Sequence, residues 1–222
     1  RDTAREDILL GADDLEQIAY GQSFSAMIVG RVANRTANAR FQLNGRSFSL
    51  EKNEGENNLH SGKANYAKRL FEAEPFEKDS CVGVTLYLYD GGEGGYEVPL
   101  DLWVTYSLNE EGELSITYRS VPQGDTVVNL TNHAYFNLAG HGSGPINGQS
   151  IKLCADFYTP VEADKIPTGE ILSVESTAFD LREMISFEEL FGRIPGGYDH
   201  NFVLRGRGMR LVAVAEDMES GR

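Results

Sequence analysis

The segment Asn129-Leu-Thr-Asn-His-Ala-Tyr-Phe-Asn-Leu-Ala-Gly140 gathers side chains suited to chemistry. Read as a β-strand, its successive side chains point to opposite sides. Thr131, His133, Tyr135 and Asn137 then share one face, and Leu130, Ala134, Phe136 and Leu138 the other, with Asn132 as the exception. Such a strand buries an apolar face and presents a row of hydrogen-bonding groups, which suits a cleft for a hydroxyl-rich ligand. A histidine in that row can donate a proton near neutral pH, because its unperturbed pKa is about 6.5. Taken alone, the segment reads equally well as a half-exposed strand with a surface histidine.

Five further motifs accompany it: Gly30-Arg-Val-Ala-Asn-Arg35, Asn58-Leu-His-Ser-Gly62, Pro167-Thr-Gly-Glu170, Phe179-Asp-Leu-Arg182 and Gly197-Tyr-Asp-His-Asn-Phe202. In this order, the six resemble the aldose 1-epimerase (galactose mutarotase) family from about Ile8 to the last residue. The resemblance implies an all-β fold, a large antiparallel β-sandwich with a sugar cleft across one face. It implies interconversion of the α and β anomers of a free hexose, galactose or glucose. In that reaction a base takes the proton of the C1 hydroxyl while an acid protonates the ring oxygen. The ring opens to the aldehyde, rotates about C1–C2 and closes with the roles reversed. No metal, nucleotide or covalent intermediate is needed, so no cofactor is expected. The resemblance assigns the acid to His133, contact near the ring oxygen to His60, and hydroxyl binding to Asn34, Arg35 and Asp199. A carboxylate suits the last role, because it can accept hydrogen bonds from two neighbouring hydroxyls. His200, adjacent to Asp199 on an expected strand, would face away and be structural.

The match also breaks. The family's general base is a glutamate in a C-terminal segment beyond the Tyr-Asp-His-Asn-Phe motif, and Ser220-Gly-Arg222 precedes any counterpart of it. Glu216 and Glu219 lie outside that context. The family's first strand also lacks a counterpart, so a single domain over residues 1–222, incomplete at both ends, is expected. The missing C-terminal segment would belong to a longer chain or act as a separate partner. Ser61 stands where glycine is usual, and Tyr96-Glu-Val-Pro99 replaces Tyr-Pro-Gly. Two rival readings follow: a catalytically inactive, sugar-binding relative, and a hexose-6-phosphate epimerase. The latter calls for several arginines around a dianion, and Arg35 alone is placed at the sugar.

Bulk properties agree with a neutral ligand. Twenty basic against 34 acidic residues give a net charge of −14, which argues against nucleic acid, whose phosphates need a basic face. No apolar run approaches the roughly 20 residues of a membrane span, and no signal peptide is visible, so a cytoplasmic address is the default. Cys81 and Cys154 read as free thiols, and His60, His133 and Asp199 lack the spacing of a metal site.

The elements that must position these groups are mainly strands. Asn44-Gly45 between alternating segments predicts a two-residue type I′ hairpin with Phe41 opposite Phe48. Val82, Val84, Leu86 and Leu88 alternate on one strand, and Leu100, Leu102, Val104, Tyr106 and Leu108 on the next. Asn109-Glu-Glu-Gly112 turns the chain into Leu114, Ile116 and Tyr118. Further strands are expected at 149–157, 200–204 and 210–215. Ser186-Phe-Glu-Glu189 carries a capping box that opens the one expected helix, through Phe191. Gly91-Gly-Glu-Gly-Gly95 reads as a flexible loop.

Overall fold

The computed structural model describes residues 6–12, 14–20 and 26–222. The chain forms two compact units, Ile18–His133 and Arg1–Gln17 with Ala134–Arg222. The first holds β1 (Ile28–Val29), β2 (Arg35–Thr36), β3 (Arg40–Leu43), β4 (Arg46–Ser49), β5 (Asn58–Leu59), β6 (Glu72–Lys78), β7 (Cys81–Asp90), β8 (Leu100–Asn109), β9 (Leu114–Pro122) and β10 (Thr131–Asn132). The second holds β11 (Ser150–Leu153), β12 (Ala155–Thr159), β13 (Leu172–Ser173), β14 (Ile185–Ser186), β15 (Asn201–Leu204) and β16 (Ala213–Glu216). Every strand-to-strand ladder is antiparallel. Among the described residues, α1 (Leu15–Tyr20) and α2 (Phe187–Arg193) are the α-helices, so the class is mainly β, as expected. Alternation gave no sign of α1.

β6 to β9 form a meander whose inward face is the alternating apolar set. Leu88, Leu100, Leu102 and Val104 are buried with Ile28 and Tyr66, while Leu86, Tyr106, Ile116 and Tyr118 pack against them. The alternation outruns the core at one end. Val82, Leu108 and Leu114 are cross-strand neighbours on the same face, yet all three are exposed. The opposite face carries a polar and aromatic ladder. Tyr87 lies 5.3 Å from the Trp103 ring, the Arg119 guanidinium sits 4.3 Å over that ring, and the Tyr87 hydroxyl donates to Asp101 at 2.6 Å.

The β3–β4 hairpin has the expected register: Leu43 pairs with Arg46 and Phe41 with Phe48, whose rings stack at 4.8 Å. Asn44 and Gly45 have φ of 50° and 76°, the left-handed pair that a type I′ turn requires. α2 starts at the expected cap, the Glu189 amide donating to Ser186 Oγ at 3.2 Å, and runs two residues beyond Phe191.

Three expectations need correction. First, the segment 129–140 is not one two-faced strand. Only Thr131–Asn132 is strand, and backbone pairing changes partner after His133, from Met27 to Leu10 and Ile8. Phe136 is consequently exposed. Asn137 is buried, donating to Gly144 O and accepting from the Ala139 amide and Gln149 Nε2. Second, the strand expected at 149–157 breaks at Cys154, and its halves join different sheets, β14-β11-β16 and β13-β12-β15. Third, Gly91–Gly95 holds a local element, a 3₁₀ turn over Glu93–Gly95. Gly95 has φ of 97°, and a Cβ there would lie 2.0 Å from the Ser49 carbonyl oxygen, so glycine is required. Cys81 and Cys154 are free thiols.

Candidate active site

The stretch from Ala26 to Thr36 collects the site's residues in the first unit. At one end β1 pairs with β10, and the ladder extends one step: the His133 amide donates to Met27 O at 2.9 Å and the Ala26 amide to His133 O at 3.0 Å. At the other end β2 pairs with β5, Arg35 opposite Leu59. One step further the His60 amide donates to Asn34 O at 3.0 Å, and the Asn34 amide donates to His60 Nδ1 at 3.0 Å. These ladders bring the His60 and His133 rings to 5.4 Å in an edge-to-face arrangement at 86°. Both histidines are half-buried.

The bond to His60 Nδ1 has a chemical consequence. A nitrogen that accepts an N–H carries no hydrogen, so the neutral ring holds its proton on Nε2. Protonating Nδ1 would set two N–H groups against each other. In this arrangement His60 Nε2–H is a hydrogen-bond donor. Holding this geometry requires uncommon backbone: φ is 64° at Asn34, 53° at His60 and 65° at Ser61. Side-chain oxygens brace it, Asn34 Oδ1 accepting from the Arg35 amide at 2.8 Å.

Arg35 is held by Glu54 in a two-pronged ion pair, Nε to Oε2 at 2.6 Å and an Nη to Oε1 at 2.7 Å. The pair fixes the guanidinium plane and leaves further N–H donors for a ligand. Sequence reading missed Glu54. Its one signal is topological, since pairing of β2 with β5 brings the preceding turn beside Arg35, and with 34 acidic residues that signal is faint.

Asp199 belongs to the second unit, just before β15. It is exposed and accepts from Lys165 Nζ at 2.8 Å. The structure thus brings Asn34, Arg35, His60 and His133 together in one unit, and Asp199 is described within its own. The His200 ring packs 4.4 Å from Phe179 and beside Tyr158, and burial lowers its pKa.

Beneath the first unit's site lies a buried polar group. Arg31 is fully buried; its Nε donates to Asp90 Oδ2 at 2.9 Å, and an Nη lies 2.6 Å from the same oxygen. Its other Nη donates to Val98 O at 2.7 Å, and its guanidinium lies 5.0 Å from the Tyr96 ring centre. Asp90 also accepts from Tyr66 Oη and the Gly92 amide. Burial alone would raise the Asp90 pKa. Hydrogen bonds from Tyr66 and the Gly92 amide, with the Arg31 charge, outweigh it and bring the value down to about 2.

The chain is similar to known proteins over nearly all of its length. A model of the aldose 1-epimerase family matches residues 1–222. The galactose mutarotase of Bos taurus is 41% identical over 218 residues, covering 97% of this chain and 63% of that protein. The aldose 1-epimerase of Escherichia coli K12 is 34% identical over 212 residues, 93% of this chain and 60% of that one. The crystal structure of galactose 1-epimerase from Lactobacillus acidophilus NCFM superposes with a TM-score of 0.86 at 25% identity, covering 95% of this chain and 64% of that one. This chain spans less than two thirds of the length of these relatives. With a match over its whole length and a shared antiparallel β architecture, the chain belongs to the aldose 1-epimerase family.

Proposed function

We propose that the protein carrying this chain is an aldose 1-epimerase that interconverts the anomers of a free hexose, galactose or glucose, in the cytoplasm and without a cofactor. The observation that carries this reading is the His60–His133 pair, whose rings meet edge to face while His60 Nδ1 accepts from the Asn34 amide. His133 gives its proton to the ring oxygen as the C1–O5 bond breaks and the C1 hydroxyl loses its proton to a base. His60 Nε2–H steadies the same oxygen, and Asn34, Arg35 and Asp199 hold the hydroxyls. After rotation about C1–C2 the transfers reverse. No carboxylate of this chain is assigned as the base. Both units are read as parts of one sugar-converting domain.

The test is the polarimetric rate of galactose and glucose anomer conversion by the full-length protein, corrected for spontaneous mutarotation. His133→Ala should lower turnover by about 10²–10⁴-fold, the usual cost of losing a positioned acid. Sugar binding without turnover in the wild type would favour the inactive relative. A marked preference for hexose 6-phosphates would favour the phosphate-specific reading, which the pairing of Arg35 with Glu54 disfavours.

A further inference from the structure

His60 and Ser61 occupy left-handed backbone, at φ of 53° and 65°, and Gly62 continues it at 59°. Non-glycine residues adopt this conformation only where the surroundings hold them. The His60 side is held by the two bonds to Asn34. Ser61 is buried, and its side is held by the hydroxyl, which uses its full bonding capacity. Ser61 Oγ accepts from the Val32 amide at 2.9 Å, donates to Val32 O at 3.2 Å and lies 2.8 Å from Tyr96 Oη.

Those contacts join three stretches of chain. Val32 lies between Arg31 and Asn34, so the hydroxyl ties the His60 turn to the stretch of chain that leads into two proposed sugar ligands, Asn34 and Arg35. Tyr96 is 1% exposed and faces the Arg31 guanidinium. Arg31 is anchored to Asp90 at the end of β7, and Asp90 to Tyr66, whose amide donates to Gly30 O at 3.1 Å. The circuit closes on the Gly30–Arg35 stretch from which it started.

We propose that Ser61, braced by Tyr96, is a positioning residue that sets the His60 imidazole against the Asn34 amide and so fixes its Nε2–H form. The activity arm of this inference rests on the proposed anomer conversion; the structural arm does not. Ser61→Ala removes the hydroxyl and leaves the left-handed backbone unsupported at that point. The imidazole should then leave the Asn34 amide for part of the time and exchange between its two neutral forms.

The experiment uses the full-length protein labelled with ¹⁵N-histidine. Long-range ¹H–¹⁵N correlation should show His60 in the Nε2–H form in the wild type and in mixed forms in Ser61→Ala. In the activity arm, Ser61→Ala should lower kcat about tenfold, as expected for one lost buried hydrogen bond, with a smaller change in KM. In a His60→Ala background the same substitution should change kcat by less than about twofold, since the group it positions is gone. Should Ser61→Ala fail to fold, Tyr96→Phe removes one partner of the hydroxyl and keeps the ring under Arg31; a smaller shift of the same kind is expected. Unchanged His60 signals in both variants would overturn the inference. So would an equal tenfold loss with and without His60, which would mark Ser61 as merely structural. A wild type without anomer conversion would refute the proposed function and leave the His60 signals to decide the role of Ser61.

Discussion

Asp90→Asn is the most demanding perturbation of the first unit, because it removes the charge but preserves the shape. Arg31 is fully buried, so its guanidinium would be left without a counter-ion, a loss that typically costs about 3–5 kcal/mol. The carboxyl itself gives an independent figure. Its pKa falls from an ordinary 3.8 to about 2, which at about 1.4 kcal/mol per pH unit is worth about 2 kcal/mol. The smaller figure counts only the charged over the neutral carboxyl, so the substitution should cost between the two, about 2–5 kcal/mol. For a chain of this size that lowers Tm by roughly 5–15 °C. The sign with pH follows from the depressed value: the contribution is complete above pH 3.8 and is lost as pH falls through about 2. Calorimetry of the wild type and Asp90→Asn between pH 7 and pH 2 should therefore show two curves that converge only in strong acid. Arg31→Met should be costly alone, and Arg31→Met with Asp90→Leu should cost less than the two single changes together. A Tm for Asp90→Asn within about 2 °C of the wild type at pH 7 would refute the account, since the ion pair would then contribute no more than an exposed one.

Glu54→Gln should free the Arg35 fork and raise KM for the sugar by about threefold to fivefold with little change in kcat, as expected for a partly exposed pair; unchanged steady-state kinetics would show that Arg35 needs no brace. Asp199→Ala should raise KM by about tenfold or more by deleting charged acceptors of sugar hydroxyls, measured by polarimetry and by calorimetric sugar titration. Lys165→Met, which removes the partner of Asp199, should change KM less than Asp199→Ala does. The reverse order would mean that the ion pair, not the carboxylate, serves the sugar.

What the sequence revealed divides by distance along the chain. The Asn44-Gly45 hairpin, the Phe41–Phe48 pair and the Ser186 cap are set by residues within eight positions of one another, and all three formed as read. The meander was legible because alternation over ten residues leaves one assignment of faces. The 129–140 segment was not, because alternation says nothing about which backbone a strand pairs with. Asn137 is drawn inward by Gln149, Gly144 and the Ala139 amide, contacts that no period of two encodes. The histidines and Arg35 could be named from their motifs. The contacts of Glu54, Ser61 and Tyr96 could not be read, since their partners stand 19, 29 and 35 residues away.

The ladder on the outer face of the meander also decides what light can report about this chain. Trp103 is its one tryptophan, and Tyr87 and Arg119, both in the meander, lie against its ring. Emission excited in the indole will therefore follow the integrity of β7 to β9, with Tyr87 close enough to pass its excitation on and the Arg119 charge close enough to tune the colour. Intrinsic fluorescence is thus a probe for melting the unit that contains Arg31 and Asp90.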